Sequence, residues 1–297
     1  MQIIVNPAAA GGRLGRQWPR LEERLRALGI DLPTVWTRAP GHASDLAAEA
    51  VAAGHQVVVA AGGDGTICEV LEGLQRTGRG ALAILPLGTG NDAARALGLP
   101  LRFEAAARVL LDGVPRPVDV MRAGERSVLN AIGIGLLGAI NVNASRIKAV
   151  RGIAAYLAAA STTLFRYRCP EIELLDGDGF HYRGPMTILA IQSGPTTGGG
   201  FRLCPGARPD DGEIDVTLVS HTGVPARLGA LSHAVRGTLA SKPFTSERRI
   251  RRLELRCAEP LPCHWDGNPG AIEPPGLLFE ALAGAQEVLL PRAAPPL

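Results

Sequence analysis

Three short glycine-rich segments carry the residues best suited to chemistry: Asn6-Pro7-Ala8-Ala9-Ala10-Gly11-Gly12, Gly62-Gly63-Asp64-Gly65-Thr66 and Gly88-Thr89-Gly90-Asn91-Asp92. Small residues let backbone N–H groups approach phosphate oxygens, and helices starting near Thr66 and Asn91 would add positive dipole ends. The hydroxyls of Thr66 and Thr89 are further donors. The carboxylates of Asp64 and Asp92 would repel a bare phosphate, so they imply a divalent cation or a hydroxyl acceptor nearby. One such segment reads as easily as a plain turn, because Gly is the default wherever φ must be positive. Turns alone do not require Asp and Thr at matching offsets in several segments of one chain.

The elements around these segments explain how they could meet. Gln2 to Val5, Thr34 to Thr37, Gln56 to Ala61 and Ala81 to Leu85 are strand-like. Between them, Leu14, Trp18, Leu21, Leu25 and Leu28 form one helical stripe and Ile67, Val70, Leu71 and Leu74 another, with Ala43 to Ala53 and Phe103 to Leu111 completing the set. Strands this apolar have no wet face, so the pattern predicts a parallel sheet covered by helices on both sides. In such a sheet, ligands bind outside the carboxyl ends of the strands, and the three segments would converge on one crevice.

From about Arg116 the texture changes to short strand-like runs broken by Gly, Pro and Asp: Val128 to Ile134, Ile172 to Leu175, Thr187 to Gln192, Ile214 to Val219 and Leu253 to Cys257. The expected organisation is an α/β domain over residues 1–115 and a β-rich, sandwich-like domain over 116–297. The run Glu287 to Leu290 is a candidate closing strand that could bring the C-terminal end back to the first domain. One Ala-rich helix, Ile147 to Phe165, is expected inside the β-rich half, flanked and interrupted by Arg146, Lys148, Arg151 and Arg166.

Composition narrows the function classes. With 31 basic and 28 acidic residues the net charge of +3 is too balanced to predict nucleic-acid binding. Lysine occurs only at Lys148 and Lys242, so phosphate loops built on a lysine are excluded. Five cysteines without C-x-x-C spacing suggest neither a disulfide framework nor a zinc site, and fit a reducing cytoplasm. No apolar run is long enough to span a bilayer, and no targeting segment is legible. Oligomeric state is not legible, a homodimer being one option.

Gly62-Gly63-Asp64-Gly65-Thr66 followed by Leu85-Pro86-Leu87-Gly88-Thr89-Gly90-Asn91-Asp92 resembles the diacylglycerol kinase catalytic domain. The whole chain resembles the soluble bacterial lipid kinases of that superfamily. The first motif is shared with NAD kinases and related to those of phosphofructokinases, whose α/β domain the first half would share; the second is much more specific to lipid kinases. Asn6-Pro7, Val118-Asp119-Val120, Asn130 to Gly135, Gly198-Gly199-Gly200 and the stretch Cys204 to Asp215 extend the match over nearly the full length. The resemblance implies an ATP- and magnesium-dependent cytoplasmic enzyme that phosphorylates a lipid hydroxyl, most simply diacylglycerol, at a membrane surface. It places the nucleotide on Asn6, Pro7, Ala8, Ala9, Ala10, Thr37, Gly62, Gly63, Asp64, Gly65, Thr66, Glu69, Gly88, Thr89, Gly90 and Asn91. It implies a catalytic magnesium held by Asp64, Asp92 and Asp119, and a structural one at Asp211 with main-chain oxygens near Arg208 and Glu213.

The general base in the bacterial enzymes belongs to an Asp-Gly-Glu motif, matched here by Asp266-Gly267-Asn268. An amide cannot accept a proton at neutral pH, so Asn268 shifts the expected role to Asp266 or Asp64. The same residue motivates an alternative, a nucleotide- or lipid-binding homologue without catalysis. A second alternative, an NAD kinase, is favoured by the Gly62 to Thr66 motif and disfavoured by Pro86 to Asp92. Cys68 and Ser193 stand where the family usually has Asn.

Other features read more plainly. Arg248, Arg249, Arg251 and Arg252 alternate with Ile250 and Leu253 as a strand with a solvated basic face would. Asp176-Gly177-Asp178-Gly179 reads as a hairpin turn, since the downstream acidic ligand of a calcium loop is missing. The Ile147 to Phe165 helix is the candidate for contact with a membrane.

Overall fold

The computed structural model describes residues 1–146 and 163–292. In the first half, strands β1 (Gln2–Val5), β2 (Thr34–Trp36), β3 (Val57–Gly62) and β4 (Ala81–Pro86) alternate with helices α1 (Ala9–Ala27), α2 (His42–Ala52), α3 (Asp64–Thr77), α4 (Asp92–Ala96) and α5 (Phe103–Asp112). The strands run parallel in the order β2-β1-β3-β4. Ile3 to Val5, Val58 to Ala61 and Leu82 to Leu85 are all buried, as strands covered on both faces must be. The helical stripes Leu14, Trp18, Leu21, Leu25 and Ile67, Val70, Leu71, Leu74 face this sheet. Because β1 lies between β2 and β3, the chain leaves the sheet in opposite directions there, which opens a crevice at the carboxyl ends of β1 and β3.

The second half contains β5 (Val114–Ala123), β6 (Arg126–Val128), β7 (Ala131–Gly135), α6 (Leu136–Arg146), β8 (Glu171–Leu175), β9 (His181–Gln192), β10 (Ile214–Ser220), α7 (Val224–Arg236), β11 (Thr245–Ile250), β12 (Arg252–Cys257), β13 (Leu261–Trp265), β14 (Asn268–Ile272) and β15 (Gly276–Leu290). The long strand β9 pairs with β8 through His181 to Pro185 and with β7 and β10 through its later residues, so one strand serves both layers of a sandwich-like domain. β15 does the equivalent between the halves. It pairs with β12 and β5, bulges between Leu282 and Gln286, and ends parallel to β4 with Val288 opposite Leu82. Val288, Leu289 and Leu290 join the core of the first half.

Most of the expected Ile147 to Phe165 helix lies outside the described residues; residues 163–166 form a helical turn. Among the described residues no helix is long and apolar enough to cross a membrane. Asp176 caps the β8–β9 hairpin turn, its Oδ1 accepting the N–H groups of Asp178 and Phe180. The run Val128 to Ile134 is not one strand: it breaks at Leu129 and Asn130 between β6 and β7.

Candidate active site

The residues after β1 do not continue directly into a helix. Ala10, Gly11 and Gly12 take left-handed φ values of 52°, 68° and 81°, which coils the segment at the sheet edge before α1 settles. Asn6 organises it: its Oδ1 accepts the Ala8 N–H at 3.0 Å, and its Nδ2 donates to the buried Thr66 hydroxyl at 2.9 Å. The first and second glycine segments are thereby tied together. The second and third touch backbone to backbone, because a Cβ on Gly63 would lie 3.2 Å from the Gly88 Cα. Asn91, left-handed at φ 56°, closes the third segment by accepting the Gly88 N–H at 2.9 Å. Only side chains as small as these allow three loops to share one surface.

Asp64 and Asp92 flank this surface. A Cβ on Gly90 would sit 2.9 Å from Asp64 Oδ2 and 3.4 Å from Asp92 Oδ2. Asp64 Oδ1 accepts the Ala93 N–H at 2.9 Å, at the start of α4. Burial raises the Asp64 pKa, and the Asp92 charge adds to the rise against the pull of nearby amides. Asp92 is buried and bridges to the other half. It accepts the Thr196 hydroxyl at 3.0 Å and the Gly199 N–H at 2.6 Å, and Arg95 approaches it at 3.1 Å.

The β13–β14 hairpin brings the second half onto the same spot. Its two-residue turn, Asp266-Gly267, has φ values of 45° and 86°, the pattern of a tight hairpin. Asn268, just past the turn, donates from Nδ2 to the Gly65 carbonyl at 3.3 Å. Its amide fills the place a side chain at residue 65 would take. Asp266 is buried, and its two oxygens accept the N–H groups of Leu129 (2.9 Å), Asn130 (3.1 Å) and Ala131 (2.7 Å). Burial pushes its pKa up to about 7 against those three amides, with the Asp64 charge contributing. His264 is buried behind the turn and held neutral, its pKa lowered by burial to about 4.

The structure brings together Asn6, Gly62 to Thr66, Gly88 to Asp92, Asp266 and Asn268. It does not bring Asp119 to Asp64 and Asp92 in the expected acidic cluster. Asp119 lies on β5, and its oxygens accept the N–H groups of Gly212 at 2.6 Å and Gly284 at 2.7 Å, tying the loop before β10 to the bulge of β15. Glu69 accepts the Ala43 N–H at 3.2 Å, at the start of α2. Thr37 is buried at the end of β2, its N–H donated to the Val5 carbonyl. Pro7 packs against Gly15 and accepts its N–H. Thr89 stands exposed at the rim.

Around the expected structural cation, Asp211 Oδ1 accepts the Glu213 N–H at 3.1 Å, while Oδ2 of Asp211 and Oδ2 of Asp215 are buried without a hydrogen-bond partner. The Arg208 guanidinium pairs with Asp210, and Arg249 lies 3.9 Å from Asp211 Oδ2 and 3.6 Å from Asp215 Oδ1. Among the described residues no group of three His, Cys, Asp or Glu side chains is arranged to hold a metal. The Asp64–Asp92 pair suits one better: two carboxylates, Asp92 buried and Asp64 partly so, both come close to Gly90.

Several site groups had little sequence signal. Thr196 and Arg95 hold Asp92 from either side, and Asn130 Nδ2 donates to the Thr196 carbonyl at 3.0 Å. Neither is part of a glycine motif. Cys68 is buried against the Ser127 carbonyl, and the Ser193 hydroxyl is buried without a partner.

Residues 1–123 match the family described as diacylglycerol kinase catalytic domain, and residues 130–290 the YegS C-terminal NAD kinase beta sandwich-like domain. The chain therefore belongs to the lipid kinases of the diacylglycerol kinase superfamily. More particularly, it belongs to their YegS-like branch: it is 37% identical over 279 residues to a "Probable lipid kinase YegS-like" of Pseudomonas savastanoi pv. phaseolicola, covering 93% of this chain and 88% of that one. A relative of the same description from Pseudomonas aeruginosa strain PAO1 is 38% identical over 91% of this chain and 88% of its own. The fold is similar to a crystal structure of a "putative diacylglycerol kinase" from Bacillus anthracis str. Sterne, with a TM-score of 0.78 and 26% identity over 98% of this chain and 97% of that one. Membership of a kinase family implies ATP use.

Proposed function

We propose that the protein transfers the γ-phosphoryl group of ATP, with magnesium, to the hydroxyl of diacylglycerol or a closely related lipid, from the cytoplasmic side of a membrane. The observation that carries this reading is the seating of the Asp266–Asn268 turn on the Gly62 to Thr66 segment, which puts carboxylates of both halves around one cleft. Phosphoryl transfer asks a protein for positioning and charge neutralisation more than for covalent chemistry. The glycine segments supply backbone donors for the phosphates, and Asp64 and Asp92 would hold magnesium. That ion, when bound, neutralises charge that builds on the transferred phosphoryl oxygens.

Proton removal from the acceptor falls to Asp64 in this reading. Asp266 has both oxygens engaged by backbone amides, whereas Asp64 is only partly buried and its Oδ2 comes close to Gly90 at the cleft. Asn268 fixes the hairpin on the Gly65 carbonyl and, as an amide, cannot accept the proton.

The test is transfer of labelled γ-phosphate from ATP to diacylglycerol, monoacylglycerol, sphingosine, ceramide, phosphatidylglycerol and NAD in mixed micelles. Labelled phosphatidic acid is the expected product, and Asn268→Glu is expected to stay within about tenfold of it. A silent wild type that Asn268→Glu revives would make this chain a binding homologue. Labelled NADP would move it to the NAD kinases.

A further inference from the structure

We propose that the outward face of α7, together with Phe165 and the basic side chains beside it, docks this protein onto an anionic lipid bilayer. The inference rests on the lipid-kinase reading and names the surface through which its acceptor would be reached.

Leu228, Leu231 and Val235 follow one another at helical steps of three and four and are 49%, 43% and 56% exposed. The opposite face of α7 is the buried one, carrying Arg227, Ala230 and Ala234. Phe165, 59% exposed, stands on the adjoining turn 163–166. Of the eight large apolar side chains exposed among the described residues, four are in these two neighbouring segments. A clustered apolar surface marks an interaction site, where scattered exposed residues would need no explanation.

Arg227 welds the two segments into one face. Its guanidinium is buried and donates to the carbonyls of Thr222 (2.9 Å), Leu164 (3.0 Å) and Tyr167 (2.9 Å), and to the Cys169 sulfur at 3.1 Å. Among the described residues this arginine has no carboxylate partner, and its bonds to the joint fix where the stripe points.

The charge around the stripe selects the occupant. The sequence has no Asp or Glu from Arg126 to Pro170 and none from Ser220 to Ser246. Both segments come from these carboxylate-free stretches. Arg166, Arg168 and Arg236 are exposed here, and Lys242 is partly so. Burial, then the charges of Lys242 and Arg236, lower the His233 pKa, which places both cations near the end of α7. Glu259 is the carboxylate whose field reaches Tyr167. An apolar stripe edged by cations suits an anionic lipid surface. It does not suit a second copy of this chain, because a two-fold contact would set the same cations against one another.

The face also connects to the cleft. Asn141 on α6 donates to the Gly267 carbonyl at 3.1 Å, in the active-site turn, and Asn143 donates to the Thr163 hydroxyl at 2.8 Å, at the start of the 163–166 turn. α6 thus runs from the hairpin that seats Asn268 to the segment that carries Phe165. Docking there would bring the lipid surface to the β-rich side of the cleft.

The test compares wild type with the triple variant Leu228→Glu, Leu231→Glu, Val235→Glu and the triple variant Arg166→Gln, Arg168→Gln, Arg236→Gln. Each is sedimented with vesicles of phosphatidylcholine alone or with one-third phosphatidylglycerol, at low and high salt. Turnover of short-chain diacylglycerol dispersed as monomers and the mass in solution are measured in parallel. Wild type should bind the anionic vesicles in a salt-sensitive way. The Glu variant should bind at least tenfold more weakly with short-chain turnover within twofold, and the Gln variant should lose the preference for phosphatidylglycerol. Equal binding by wild type and Glu variant would overturn the proposal, as would a wild type that ignores both vesicles. A Glu variant with half the wild-type mass would assign the stripe to a second copy and also overturn it. Wild type that binds vesicles as expected yet phosphorylates no lipid would uphold the docking face while removing the lipid-kinase reading.

Discussion

The first half contributes to the cleft mainly through backbone, with glycine segments packed closely enough that Gly63 and Gly88 touch, whereas the second half contributes by reaching in with loops and side chains from distant strands. In the first half, Gly63 and Gly88 touch because neither has a side chain. In the second, Asn268 arrives on a hairpin and Thr196 and Gly199 arrive on a loop to hold Asp92. Backbone recognition is written locally, in runs of residues that must be small. Recognition assembled across domains is written in pairs that lie far apart in the chain.

The largest effect should come from the residue both halves surround. Asp64→Asn should lower phosphoryl transfer by about 10³-fold or more. It should leave the thermal midpoint unchanged or raised, since it removes the repulsion with Asp92. Undiminished transfer of labelled phosphate would place the chemistry elsewhere.

The seam itself is tested by Gly65→Ala, whose Cβ would occupy the place of the Asn268 amide. Displacing the hairpin should cost roughly 10- to 100-fold in kcat/KM. Asn268→Gly in the same chain should restore part of it, and strictly additive losses would mean that the halves are uncoupled here.

Two aspartates that look like site residues separate on stability. Asp266→Ala leaves three buried N–H groups without an acceptor and should cost about 3 kcal/mol, read as a lower thermal midpoint. Asp119→Ala frees two, and should cost about 2 kcal/mol with the KM for ATP unchanged. A raised KM for ATP and magnesium with an unaltered midpoint would instead make Asp119 a metal ligand.

The smallest effect is a pH slope. His264, lowered to about 4 from 6.5, makes stability fall as pH drops through that interval, because the unfolded chain takes up the proton first. Asp266, raised from 3.8 to about 7, makes stability fall as pH rises through that interval, because the unfolded carboxylate has already shed its proton. The two oppose each other over nearly the same range. His264→Gln should uncover the second, so that its thermal midpoint declines from pH 4.5 to 7 by the equivalent of roughly 3 kcal/mol. A flat profile in the variant would show that Asp266 is not shifted.

What could be read from the sequence follows the same division. The parallel sheet, its helices and the glycine segments were legible because each is a run of neighbouring residues with one periodicity or one small-residue need. Asp119 matched a motif, yet its partners Gly212 and Gly284 are 93 and 165 residues away and donate from backbone, which leaves no side-chain pattern to find. The apparent strand Val128 to Ile134 is interrupted because the Leu129 and Asn130 N–H groups turn to Asp266. α7 escaped notice because its buried face is Arg227, Ala230 and Ala234, while its large apolar residues face outward. A stripe read as a core signal would have been assigned the wrong side.

The return of β15 to the first half has a consequence for how the protein is made. The ribosome delivers β1 to β4 and the glycine segments early, but Val288 to Leu290, which complete their core, come after every other described strand. The first half therefore cannot finish as an independent unit during synthesis. Its exposed β4 edge must wait, protected or at risk of pairing wrongly, until β15 has been made.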